Sequence, residues 1–193
     1  TDRFPARVLM RERDSFTASE QGLMRLERDD GEGFYRPGDR IILRDFADRH
    51  LLGSLIVGEV GPAKSLGDVS YRGWLRDRFP VSTQRYVETE LARHESLTLD
   101  QLARGSRFAP GELAEVIDKS EQLRWLGNRE RGISRKNWDE RLQQAQKIVD
   151  EYHENHPHRR GISLDQWISP EDPLRPFLRE ALEKDRYRTQ AEI

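Results

Sequence analysis

The sequence predicts a multidomain α+β protein, a partial antiparallel β-barrel followed by tandem winged-helix domains. Three observations lead there. Short apolar runs punctuated by turn residues fill residues 3–60, the spacing of an antiparallel barrel or sandwich. Near Ser82 the apolar period changes to that of amphipathic helices, and helix, helix, helix and hairpin follow in turn. From Asn137 the same order starts again, about 60 residues after the first. The expected division is a β-barrel domain over 1–62, a connector over 63–81, one winged helix over 82–135 and a second, truncated one over 136–193.

Composition agrees with several small domains. The 193 residues are 35% charged and 35% hydrophobic, polar for a single thick core. With 33 basic and 35 acidic residues the formal charge is −2, so any nucleic-acid contact has to come from local basic patches. There is no cysteine, which excludes disulfides, thiolate catalysis and cysteine metal sites and favours a cytoplasmic location. No apolar run approaches the ~20 residues of a membrane span. Thr1 to Pro5 reads as neither a signal peptide nor a natural start, so a piece of a longer chain is expected.

Within the β region, Ala6–Met10 and Gly22–Leu26 are the first strand-like runs, with a solvated turn at Asp29–Gly33 after them. Ser15 to Glu20 carries a Ser/Thr-x-x-Glu capping pattern, but Gly22 follows too closely for a helix, and a loop is expected. Pro37-Gly38 turns the chain into Ile41-Ile42-Leu43, the polar corner Asp45 to His50 follows, and Leu51 to Val60 returns before Gly61-Pro62. Both runs are rich in Ile, Leu and Val and too short for a typical helix, so they are expected to be neighbouring strands. Gly53, Ser54 and Gly58 would let the backbone bend as a tight barrel requires.

The connector has partial helical character from Tyr71 to Asp77. Ser82 can cap a helix over Thr83–His94, with Tyr86, Val87, Leu91 and Ala92 on one face. Thr98 can cap a second over Leu99–Arg104, and Pro110 opens a third carrying Leu113, Val116 and Ile117. Leu123–Leu126 and Gly132–Ser134 flank the turn Gly127–Arg131 as a small wing. Trp138, Leu142, Ala145, Val149 and Tyr152 mark the clearest amphipathic helix, ended by Pro157 and Arg160-Gly161. A short helix over Leu164–Trp167 and a last one from Leu174 to about Lys184 close the second unit.

Two of these stretches resemble the selenocysteine-specific elongation factor family, SelB. Asp39, Arg40, Ile41, Ile42, Leu43, Arg44, Asp45, Arg49, Gly53, Ser54 and Pro62 are similar to the end of its third domain, and more distantly to that of elongation factor Tu. Leu55 and Ile56 depart from the small residue or Val usual there. Val149 to Pro157, followed by Arg160-Gly161-Ile162-Ser163, is similar to the stretch leading into the family's second winged helix. Together the match covers residues 6–185.

The resemblance implies delivery of selenocysteinyl-tRNA to a ribosome decoding a UGA codon marked by an mRNA hairpin. In that family GTP and Mg are held by a first domain, and the hairpin by the last winged helices. Both lie outside this chain, so no cofactor and no catalysis are expected of it, and it would join the tRNA-binding body to the RNA-binding tail as a monomer. A further barrel strand would lie before Thr1. Arg40, Arg44 and Arg49 would contact tRNA or a neighbouring domain; alternating strand positions would equally point them to solvent.

Other candidates are weighed on their chemistry. Arg129, Arg131, Arg135 and Lys136 form the only dense basic patch, suited to RNA phosphate, with Glu121, Glu130, Asp139 and Glu140 close enough to cancel part of its field. The competing reading is a solvated or interdomain surface. Glu112, Glu115, Asp118 and Glu121 on the third helix argue against entry into a groove, and hence against the alternative of a winged-helix DNA-binding regulator. Gly58 to Ser65 nearly matches a P-loop, but Ala63 replaces the glycine before Lys64 and no helix opens behind it. His153, His156 and His158, with Glu154, crowd one helix end, where capping is a more ordinary role than metal binding. Trp74, Trp125, Trp138 and Trp167 are expected in the core.

Overall fold

The structure, a computed structural model, describes residues 3–10, 15–17, 20–28, 35–60, 68–158 and 162–191. The chain mixes helices with small antiparallel sheets. Strand β1 (Ala6–Met10) pairs with β2 (Met24–Arg28), placing Val8 opposite Leu26. Strand β3 (Arg40–Arg44) pairs with β4 (Leu51–Ile56), placing Ile42 opposite Ser54, with a register shift at Leu43/Arg44.

The expected barrel is not closed. The two hairpins are separate two-stranded sheets, and a barrel needs one uninterrupted ladder. No side chain on β1 to β4 is fully buried, because a two-stranded sheet offers too little surface to enclose a dry core. Strands β3 and β4 are neighbours as expected, but β4 stops at Ile56 instead of running to Val60. Val57 still bonds to Gly38 and Asp39 across the hairpin, and the backbone then leaves to meet helices. Gly38 has φ +96, and a Cβ there would lie 2.8 Å from Arg107 Nε, so the Pro37-Gly38 turn needs its glycine. Thr17 and Glu20 close a loop through their backbones and the Glu20 carboxylate, as the sequence predicts.

The helices follow where the 3.6-residue period placed them. They are α1 (Val69–Asp77), α2 (Thr83–Arg93), α3 (Leu99–Arg104) and α4 (Pro110–Lys119). Then come the hairpin β5 (Leu123–Leu126) and β6 (Arg131–Ser134), and α5 (Arg135–Asn155), α6 (Leu164–Trp167) and α7 (Arg175–Ala191). Asp68 caps α1 by accepting from Ser70 and Tyr71, and Ser82 caps α2 by accepting from Arg85 at 3.2 Å. Ser134 caps α5 through Asn137, starting that helix two residues ahead of the expected Asn137. Helix α7 runs past the expected Lys184, since no Gly or Pro follows Pro176 of its first turn and the pairs Arg179–Glu183 and Lys184–Glu180 support its solvent face.

The chain divides into two compact units: Thr1–Arg93 with Asp100–Val116, and His94–Leu99 with Ile117–Ile193. In the first, Tyr86, Val87, Leu91, Leu102 and Leu113 are buried, and Tyr71 and Leu75 pack with Leu23 and Trp74. Burying each such leucine contributes about 2 kcal/mol. In the second, Leu126, Ile133, Trp138, Ala145, Ile168, Leu174 and Leu178 form the core, with α5 packed on β6, α6 and α7.

Only one tryptophan is wholly core: Trp138 is 5% exposed, while Trp74, Trp125 and Trp167 are half-buried. Each of these three keeps its ring edge where the indole N–H can reach an acceptor: Thr89 O at 2.8 Å, Asp118 Oδ1 at 3.0 Å and Ala145 O at 3.0 Å.

Candidate nucleic-acid interface

The basic residues of the β5–β6 hairpin begin in one turn and diverge from there. Residues Gly127 and Arg129 both take positive φ, +58 and +61, which folds the four-residue tip back on itself. Arg129 is thereby turned toward α4. One of its guanidinium nitrogens lies 2.9 and 2.8 Å from the two oxygens of Asp118, whose Oδ1 also accepts from Trp125. Its charge is largely spent there.

Arg131, the first residue of β6, points elsewhere. Its guanidinium donates to Ser96 Oγ at 2.8 Å and to the Ser96 carbonyl at 3.0 Å. Beside it, Leu97 and Gly132 exchange two backbone hydrogen bonds, adding a short bridge to the edge of the hairpin. Arg131 therefore ties the 94–99 segment to β6.

Arg135 and Lys136 lie at the far end of the strand, about 13 Å from the tip at 3.3 Å per residue. Both are exposed. Lys136 is 3.9 Å from Glu140, and Arg135 makes no side-chain hydrogen bond or ion pair among the described residues. They occupy the first turn of α5, which holds no acidic residue, so their charges add to the positive end of the helix dipole. The four cations close in sequence thus become one paired at the tip, one structural tie and two exposed at the base, of which Lys136 lies near Glu140. On α4, Glu112 accepts from the Ala109 N–H, and Glu115 and Asp118 are exposed.

On the β3–β4 hairpin, Arg40 and Arg44 share one face and Arg49 sits at its tip, all exposed. Arg44 is 3.4 Å from Asp48. The tip is held by Asp45, whose carboxylate accepts from the Arg49 and His50 N–H groups and from His50 Nδ1. The His50 hydrogen bond holds the Asp45 carboxyl below its ordinary value, with the His50 and Arg49 N–H groups and the Arg44 charge acting the same way.

The most developed polar cluster lies at none of these positions. Arg78, at the end of α1, is buried with every guanidinium nitrogen used: Nε donates to Thr89 Oγ1 at 3.1 Å, one terminal nitrogen to Gly58 O at 3.0 Å and the other to Glu90. Its carbon lies 4.1 Å from the Trp74 ring centroid and 5.0 Å from that of Tyr86. Alongside, Glu59 accepts from the Tyr71 hydroxyl and from Arg93, whose guanidinium lies 4.5 Å from the same Trp74 ring. Burial, and then Glu59, push the Tyr71 phenol well above its usual value. Burial alone would lower Arg93, but Glu59 more than offsets it and leaves the guanidinium raised. With all its groups satisfied, this cluster fastens the strand exit at Gly58–Glu59 to α1 and α2. Sequence reading passed over it; the local trace was Trp74 and Arg78 at i,i+4 on one helix.

At the histidine-rich helix end, the His156 ring stacks on Tyr152 at 4.6 Å and the His156 N–H donates to the Tyr152 carbonyl. Among the described residues no group of three or more His, Cys, Asp or Glu stands close enough to hold a metal. The P-loop-like residues Gly61 to Ser65, and Arg160-Gly161, lie outside the described residues. No described helix is long and apolar enough to cross a membrane. No protein-family model and no curated protein matches the sequence.

Proposed function

We propose that this chain is part of a selenocysteine-specific translation elongation factor, the piece that joins a tRNA-binding β body to an RNA-binding helical tail. The observation that carries this reading is an order of elements. A hairpin bearing the Asp39 to Asp45 motif is followed by α2, α3, α4 and the β5–β6 hairpin, and then by a second helical set opening with α5. Three helices followed by a hairpin is the element order of a winged helix. On this reading β1 to β4 are elements of a barrel domain like the third domain of elongation factor Tu. GTP and Mg would belong to another domain of the same protein, and the chain itself would catalyse nothing. Its partners would be selenocysteinyl-tRNA, the ribosome and the marked mRNA, in the cytoplasm.

The acidic exposed side of α4, with Glu112, Glu115 and Asp118, favours this over a DNA-binding regulator, which would present cations on that helix. Fluorescence anisotropy with labelled tRNA and with duplex DNA of equal charge, across a salt series, tests the choice. Tighter binding of tRNA, weakened by Arg135→Ala with Lys136→Ala, is expected. A preference for the duplex would overturn the proposal, and so would a coding region upstream of Thr1 that encodes no GTPase domain.

A further inference from the structure

The β3–β4 hairpin has two unlike faces. Ile41, Leu43, Gly53 and Leu55 are half-buried on one. On the other, cross-strand pairing aligns Arg40 with Ile56, Ile42 with Ser54 and Arg44 with Leu51, and the register shift adds Leu52. This second face is bare: Ile42 is 66% exposed, Leu51 67%, Leu52 66%, and Phe46 at the tip is fully exposed. A soluble sheet facing water on one side ordinarily carries polar residues there. Here aliphatic side chains run down the middle, held in a regular ladder whose tip is fixed by Asp45.

The charges around this face select the occupant. Arg40 and Arg49 make no side-chain hydrogen bond or ion pair among the described residues. Of the nearby acids, Asp39 and Asp45 are half-buried and tied to the backbone N–H groups of Arg36 and of Arg49 and His50, and Asp48 pairs with Arg3 and Arg44. Surplus charge on the face is therefore positive. A second copy stacked face to face would set these arginines against arginines, which disfavours self-association. A bilayer would have to accept Asp45 and Asp48 on either side of the exposed Phe46. Nucleic acid would suit the arginines but not four aliphatic side chains, which offer bases nothing to stack on.

We infer that the bare face of the β3–β4 hairpin docks an acidic amphipathic helix of a partner protein. The helix would lay an apolar stripe on Ile42, Leu51, Leu52 and Ile56 while its flanking carboxylates meet Arg40 and Arg49. A helix layered on one side of a sheet is the ordinary way such a face is covered. This inference stands apart from the reading above, since it follows from exposure and charge alone.

The test uses a labelled synthetic helix of about 18 residues with leucines at i, i+3, i+4 and i+7 and glutamates flanking them. A counterpart carries lysine for each glutamate. Anisotropy is measured with the full chain, with Ile42→Ser/Leu51→Ser, and with Arg40→Glu/Arg49→Glu, each checked for its fold by circular dichroism. All substituted positions are exposed, so the variants are expected to fold. The acidic helix is expected to bind, about tenfold more weakly to either variant, and the lysine helix at least about tenfold more weakly to the parent. Equal binding of the two helices, no binding of either, or insensitivity to the Ile42/Leu51 change would overturn the proposal. So would sedimentation showing a dimer that Ile42→Ser/Leu51→Ser dissolves, recruitment to phosphatidylserine vesicles lost on Phe46→Ser, or tRNA binding that depends on Ile42 and Leu51.

Discussion

Arg78 and Glu90 meet inside the first unit as an ion pair, the guanidinium 1% exposed and the carboxylate 16%. Such a pair adds little over a well-packed apolar substitute, because desolvating two charges offsets most of their attraction. Removing one member is another matter. Arg78→Ala would take from Glu90 its buried ion-pair partner and from the Gly58 carbonyl its donor, and would empty the slot between Trp74 and Tyr86. The expected loss is about 3–5 kcal/mol by urea denaturation. The double change Arg78→Met/Glu90→Leu is expected to regain much of it. Equal losses in both would show that packing, not charge, is what the site provides.

Gly127 and Gly111 make a contrasting pair. At Gly127, φ is +58 and an added Cβ would lie 2.8 Å from the Phe177 ring, so Gly127→Ala is expected to cost about 1–2 kcal/mol. At Gly111, near the start of α4, nothing lies within 4 Å, and Gly111→Ala is expected to add about 0.5 kcal/mol. Thermal melts of the two variants should shift in opposite directions.

Burial pushes the Tyr86 phenol up to about 12 from its usual 10.0. A group whose folded value is raised gives stability that is complete below the unfolded value and lost as pH rises through the folded one. The chain should therefore weaken progressively between about pH 10 and 12. Tyr86→Phe should reduce that alkaline loss, leaving the part due to the likewise raised Tyr71, at a cost of about 1 kcal/mol at neutral pH for the lost hydrogen bond to Leu102 O. Denaturation curves across that range check both.

At the hairpin tip the sign is opposite. Asp45 is held below its usual 3.8, so its grip on the Arg49 and His50 amides is complete above that value and lost as pH falls through the lowered one. Amide resonances of Arg49 and His50 should move together in the acid range, and Asp45→Asn should abolish the shared titration.

What the sequence made legible were features set by neighbours along the chain. The helix over Leu99–Arg104, the Ser82 cap and the Pro37-Gly38 turn each depend on a few adjacent residues, and each stands where expected. Pairing between distant strands is not written locally, which is why four runs that look like barrel strands form two separate hairpins. The candidate cations show the same limit. Arg129, Arg131 and Arg135 are close in sequence, yet a positive φ at the tip, a strand's alternation and a helix start send them in three directions. The Arg78 cluster joins residues 58, 59, 71, 74, 78, 86, 89, 90 and 93, and its local signature was limited to one-turn intervals along α1 and α2, such as Trp74–Arg78 and Tyr86–Glu90.

The route of the backbone carries one last implication. Because the first unit takes back Asp100–Val116 after giving up His94–Leu99, the polypeptide passes from one unit to the other at Arg93, Leu99 and Val116. A single cut can therefore leave only one unit whole: at Arg93 the first loses Asp100–Val116, and at Val116 the second loses His94–Leu99. Limited proteolysis should accordingly yield at most one stable fragment and never both units as separate whole pieces.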